Sequence, residues 1–103
     1  MMAINPLPPT EKETYWHKKG ILSASIHDEV VMMSIEMGQY YNLNTVAGRI
    51  WHLLETPQNL DQITAALAEI YDAPTDTIRA EVAAFLARLK QEGLLESAAD
   101  SAP

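Results

Sequence analysis

The chain has 103 residues, 48% of them apolar and none of them cysteine, which allows one hydrophobic core but no disulfide, thiolate metal site or thiol nucleophile. Seven Lys and Arg against fourteen Asp and Glu leave a net charge of −7. The only basic clusters are Lys18-Lys19 and the group Arg79, Arg88 and Lys90, too few to predict a nucleic-acid reader or a binder of anionic membranes. No apolar run approaches the about 20 residues that span a bilayer, and no basic segment followed by an apolar one opens the chain, so a soluble cytoplasmic protein is expected.

Taken in order, residues 1–18 contain Pro6, Pro8 and Pro9 among polar neighbours and predict a flexible N-terminal arm. Residues 19–96 carry the apolar patterning of the domain, and 97–103 read as a disordered tail. The roughly 80 residues between the tails are about the lower size at which one core suffices without covalent staples.

Residues 21–43 are rich in Ile, Val, Met and Tyr and are broken at His27-Asp28-Glu29 and Met37-Gly38-Gln39. Those breaks carry turn residues, so three short strands are predicted, over 21–26, 30–36 and 40–43, as an antiparallel meander. Alternation puts Val31, Met33 and Ile35 on one face of the middle strand and Val30, Met32 and Ser34 on the other. In the third strand Tyr41 and Leu43 share one face and Tyr40 and Asn42 the other. This aromatic strand runs straight into the polar Asn44 and Thr45.

From Asn44 the period becomes helical. A first helix over 45–55 presents Val46, Ala47, Ile50 and Leu54, flanked by Trp51 and Leu53, and Pro57 ends it. A second, over 60–71, has Asn59 as N-cap and Gln62 three residues on, the spacing of a capping box. Its apolar positions are Leu60, Ile63, Leu67 and Ile70. A third begins near Thr75 after Pro74, with Ile78, Val82, Phe85, Leu86 and Leu89 in one stripe and Gly93 as its stop. Leu94-Leu95 then fold back on the core. The fold class is α+β, a winged helix-turn-helix-like domain of three antiparallel strands followed by three helices.

Catalytic constellations are absent from this pattern. His17, His27 and His52 lack metal-ligand spacing, and His52 has only Glu55 as an acidic neighbour. Ser23, Ser25 and Ser34 lie in strands with no base attached. No glycine-rich phosphate loop exists. A non-enzyme that uses no metal and no cofactor is expected.

Opposite its core stripe the third helix carries Ala80, Ala83, Ala84 and Ala87, with Arg88 and Gln91 beyond. Alanines are good helix formers, and small side chains also leave a trough in which another backbone can lie. If that helix packs beside Tyr40-Tyr41-Asn42-Leu43, the two form the walls of a groove that accepts a peptide as an added strand. Arg79, Arg88 and Lys90 suit acidic residues of such a peptide.

The order Gln39-Tyr40-Tyr41-Asn42-Leu43-Asn44, Ala47-Gly48-Arg49-Ile50-Trp51, Leu60-Asp61-Gln62-Ile63, Ala68-Glu69-Ile70-Tyr71, Val82-Ala83-Ala84-Phe85-Leu86 and Gly93-Leu94-Leu95 resembles the PqqD-like family over about residues 19–96. These are small domains that recognise precursor peptides of ribosomally made, modified natural products. The resemblance implies a non-catalytic adaptor with the winged fold that does not read DNA. It implies that the leader segment of a precursor peptide binds as a strand between third strand and third helix. The domain then delivers it to a modifying enzyme, a cysteine protease in lasso-peptide pathways or a radical enzyme in pyrroloquinoline quinone synthesis. Carried onto this chain, the peptide-binding residues are Tyr40, Tyr41, Asn42 and Leu43 on one wall and Ala80, Ala84, Ala87, Arg88 and Gln91 on the other, with Phe85 at the floor.

Residues 1–18 extend beyond a minimal domain of this kind. Tyr15-Trp16 either covers the sheet, begins an extra strand or swaps onto a neighbour, so a monomer and an arm-mediated dimer both stay open. The rival from another class is a winged-helix DNA-binding regulator, which requires a basic recognition helix.

Overall fold

A computed structural model describes residues 13–27 and 29–99. Its elements are β1 (Glu13–His17), β2 (Ile21–Ile26), β3 (Glu29–Ser34), β4 (Gln39–Leu43), α1 (Thr45–Leu53), β5 (Gln58–Asn59), α2 (Leu60–Ala68), α3 (Thr75–Gln91) and β6 (Leu95–Ala99). The meander is present as the antiparallel sheet β2-β3-β4, with Leu22 opposite Met33, Met33 opposite Tyr40 and Val30 opposite Leu43. Gly38 closes the β3–β4 turn at φ +65°, where its N–H donates to Ser34 O at 2.8 Å. The Ser34 hydroxyl accepts from Met37 N–H in the same turn, so its burial is compensated.

The helices start and stop for local reasons. Asn44 caps α1 by accepting from Ala47 N–H at 2.9 Å. Asn59 and Gln62 form a reciprocal capping box at the start of α2. Gly93, at φ +78°, ends α3 in a Schellman motif: Leu94 N–H donates to Leu89 O at 2.9 Å and Gly93 N–H to Lys90 O at 3.1 Å. That turn throws Leu94 and Leu95 back into the core, where both are buried.

The core lies between the inner face of the meander and the helices. Val30, Met32 and Leu43 meet Ile50, Trp51 and Leu54 of the first helical segment, Leu60, Ile63 and Leu67 of α2, and Ile78, Val82, Leu86 and Leu89 of α3. Gly48 sits where α1 crosses β3: a Cβ there would lie 2.9 Å from Val30 Cγ2, so only glycine permits the approach. Two expected core positions are corrected. Val46 is 41% exposed and Ile70 is 54% exposed. α1 is rolled so that Ile50, Trp51 and Leu54 point inward, and α2 stops at Ala68 before Ile70 can turn toward the core.

Of the alternatives left open for Tyr15-Trp16 the structure takes the extra strand, which lies at the centre of a second sheet of order β5-β1-β6. The 1–18 segment is no arm throughout, because Glu13–His17 pairs antiparallel with both Gln58–Asn59 and Leu95–Ala99, and residues 97–99 are accordingly strand. Residues 1–12 and 100–103 lie outside the described residues. Tyr15 anchors the sheet at 2% exposure. Its burial, with Glu13 alongside, pushes its hydroxyl up to about 12. His17 stacks on Trp51 with ring centroids 3.6 Å apart, and its Nε2–H donates to Trp51 O at 2.6 Å, a carbonyl in the last turn of α1. Burial lowers the basicity of His17, only partly offset by that hydrogen bond and by Glu55. Lys90 of α3 pairs with Glu13 at 3.0 Å.

Candidate functional site

In the order β2-β3-β4, β4 is an edge strand. Hydrogen-bond parity decides which of its backbone groups are free. Ile35 N–H donates to Gly20 O, directly opposite it, so residues of odd number in β3 bond toward β2 and residues of even number toward β4. By the β3–β4 register, Gln39, Tyr41 and Leu43 then bond to β3, and Tyr40 and Asn42 turn their N–H and C=O to the open edge. That edge is a template for one more strand.

Beside it lies a concavity of about 580 Å³ walled by Tyr40, Tyr41, Asn42 and Leu43 on the β4 side and by Phe85, Arg88, Leu89 and Glu92 of α3 on the other, with Met32 and Leu94 also lining it. It runs into a second, more apolar one of about 410 Å³ through the shared residues Asn44, Ala47 and Phe85. The second is lined by Val46 and Ile50 of α1, Leu67 and Tyr71 after it, and Thr77, Ile78, Glu81 and Val82 of α3. Exposure of Val46 is thus exposure to this trough. The Tyr41 hydroxyl lies 3.3 Å from Glu92 Oε1 and 3.1 Å from Gln39 Oε1, tying β4 to the end of α3. Desolvation, then the nearby Glu92 carboxylate, holds the Tyr41 hydroxyl above its usual range.

The structure therefore brings together Tyr40, Tyr41, Asn42, Leu43, Phe85 and Arg88. Ala80, Ala84, Ala87 and Gln91 are exposed one stripe further round α3 and line neither concavity. At 100° per residue, packing of Ile78, Val82, Leu86 and Leu89 into the core turns the stripe Glu81, Phe85, Arg88 and Glu92 toward β4. The i, i+4, i+7, i+11 spacing of those four was the available signal, and their mixed chemistry hid it.

Of the basic residues on α3, Arg79 pairs with Asp61 and Lys90 with Glu13. Arg88 makes no ion pair with the described residues and opens into the trough. A continuous basic face for DNA is not built.

One pairing was missed. Ser25 Oγ lies 3.2 Å from His52 Nε2, and His52 Nδ1 lies 3.2 Å from Glu55 Oε2. The carboxylate only accepts, so His52 Nδ1–H donates to Glu55. All three are exposed to water, where no preorganised low-dielectric pocket activates the hydroxyl. Among the described residues no group of three or more His, Asp or Glu is arranged to hold a metal ion, and no helix is long and apolar enough to cross a membrane.

No curated protein matches the chain in sequence. Among solved structures it is similar to TbiB1, determined in complex with the TbiA(beta) leader peptide, at 33% identity and TM-score 0.75 over 79% of this chain and 94% of that one. It shares its fold with a lasso peptide synthetase B1 complexed with its leader peptide (21% identity, TM-score 0.72, 80% and 96% covered). It also shares it with the PqqD portion of PqqCD from Methylobacterium extorquens, a stand-alone recognition element for ribosomally synthesised, modified peptides (24% identity, TM-score 0.67, 81% and 88% covered). The family model for coenzyme PQQ synthesis protein D matches residues 29–95, from the start of β3 to the start of β6, and with that match the chain belongs to the PqqD family.

Proposed function

We propose that this protein is a non-catalytic adaptor that binds the leader segment of a ribosomally made precursor peptide by strand addition and delivers it to a modifying enzyme. The observation that carries this reading is the open β4 edge, where the register turns the backbone of Tyr40 and Asn42 outward, beside a trough of mixed polarity against α3 that runs into a more apolar one. Backbone hydrogen bonds at the edge supply affinity, and pockets for alternate side chains supply selectivity. Side chains of the added strand that point inward meet Tyr41, Leu43, Phe85 and Leu89, while Arg88 receives a carboxylate. The likeness to TbiB1, solved with a leader peptide, supports leader binding; a lasso-type pathway with a cysteine protease as recipient is what the resemblance to the PqqD-like family implies. Pyrroloquinoline quinone synthesis, with a radical enzyme, is the next reading.

Calorimetric titration with the leader of the precursor peptide encoded in the same gene cluster tests this. Asn42→Pro removes an open-edge donor and leaves the β3 ladder intact, because proline is tolerated on edges whose N–H faces outward. It should weaken leader binding up to about tenfold, the loss of one net hydrogen bond. Arg88→Glu should weaken it similarly, and Ala87→Glu should not. The reverse pattern would place the peptide on the alanine stripe instead. Binding indifferent to all three would remove the strand-addition reading.

A further inference from the structure

The α3 wall of the trough carries its charges in a fixed order. Glu81 lines the more apolar concavity, and Arg88 and Glu92 line the larger one. Carboxylate, guanidinium and carboxylate thus follow one another along one side of a single helix. Arg88 pairs with neither acid, and neither Glu81 nor Glu92 forms an ion pair with the described residues. Glu92 instead accepts from the Tyr41 hydroxyl at 3.3 Å, and Glu81 is exposed to water. We propose that these three side chains read charge in the bound segment, so that the leader class this chain accepts has an acidic residue with a basic residue on either side. This rests on the strand-addition reading above and names the chemistry of its ligand.

The register follows from axial spacing. β4 runs against α3, because Tyr41 reaches Glu92 while Asn44, three residues on, lies where the two concavities meet at Phe85. A strand added to β4 therefore passes Glu92 and Arg88 while it is paired, and reaches Glu81 after β4 has ended at Leu43. Along the helix axis Arg88 stands about 6 Å from Glu92 and about 10.5 Å from Glu81. Side chains on one face of a strand repeat about every 6.8 Å. The acid that meets Arg88 and the base that meets Glu92 are then about two residues apart. The base that meets Glu81 lies about four residues to the other side, and a long side chain covers the remaining difference of about 3 Å. The stem of that lysine or arginine lies against Val46 and Tyr71, and its head stays at the water-exposed Glu81.

Desolvation makes the order selective. An uncharged segment over Glu81 and Glu92 strips water from two carboxylates and returns nothing, an acidic one adds repulsion, and a basic one compensates.

The test titrates the full chain with the leader of the precursor peptide encoded in the same gene cluster. Glu81→Gln and Glu92→Gln remove charge and keep shape, and the second still offers Tyr41 an acceptor. Each should weaken binding about two- to fivefold, the range of an exposed ion pair. Glu29→Gln removes the same charge at the far turn of the meander, outside both concavities, and should change nothing. Glu81→Lys should weaken binding about tenfold through like-charge contact. A leader whose assigned basic residue is replaced by Glu should recover most of that loss on Glu81→Lys while binding the wild type poorly. An equal loss in Glu29→Gln would assign the effect to the net charge and overturn the register. Leader binding indifferent to Glu81→Gln and Glu92→Gln, or tight binding of a cognate leader without the flanked acid, also overturns it, while Asn42→Pro still tests strand addition by itself. Wild-type chain that binds no leader overturns the adaptor reading and this one with it.

Discussion

His17 and Gly48 show how much single residues decide. His17 is held neutral by burial against Trp51, so its folded basicity is below the ordinary value of 6.5. The unfolded chain then binds more protons in the window just below pH 6.5, and stability is complete above that pH and falls as pH drops through it. Urea unfolding between pH 7.5 and pH 5 should show this loss, and His17→Phe, which keeps the stack on Trp51, should flatten it. Gly48 fails differently. Gly48→Ala forces a Cβ against the stiff, buried Val30 side chain, and overpacking of this kind costs about 1–3 kcal/mol in chemical denaturation. Were the variant as stable as wild type, α1 would not cross β3 this closely.

At the scale of elements, local signals and long-range pairing separate. The Asn59–Gln62 capping box is written within four residues, and Asn59→Ala should cost about 1 kcal/mol of stability. β1 is the opposite case. Local pattern leaves Tyr15-Trp16 open between sheet cover, an extra strand and a swapped arm, because the partners of Glu13–His17 lie far off at Gln58–Asn59 and Leu95–Ala99, and the neighbouring prolines point to an arm. Tyr15 is the discriminating residue. In an arm, Tyr15→Ala would be neutral; as the buried anchor of a three-stranded sheet it should destabilise by about 3–5 kcal/mol, the range for a large aromatic core truncation. Thermal unfolding of the variant decides between them.

For the molecule as a whole, the second sheet binds the two ends of the domain together across its core. Deleting residues 1–18 should therefore uncover Trp51, Leu94 and Leu95 and abolish cooperative unfolding, as followed by circular dichroism, rather than merely shorten a tail. The charge distribution makes its own prediction. With Arg79 and Lys90 engaged by carboxylates and a net charge of −7, titration with duplex DNA at physiological salt should give no salt-sensitive binding.

From sequence alone came the meander, the three helices, the Asn59–Gln62 capping box, the Gly93 stop and the aromatic edge strand Tyr40–Leu43, since each depends on side-chain alternation, helical periodicity or hydrogen bonds spanning a few residues. The resemblance to the PqqD-like family was legible in the same stretches. Tertiary structure decided the rest: that Glu13–His17 is a strand, that Val46 faces the trough and Ile70 the solvent, and that the α3 wall is Glu81, Phe85, Arg88 and Glu92 rather than the alanine stripe. The reason is geometric. A helix advances 100° per residue, so a stripe one position away faces a different neighbour, and only the packed core sets how the helix is rolled. Strand pairing across 43 to 86 residues, from Tyr15 with Gln58 to Glu13 with Ala99, is likewise invisible to local pattern, because its free energy comes from burial that exists only once the chain has closed on itself.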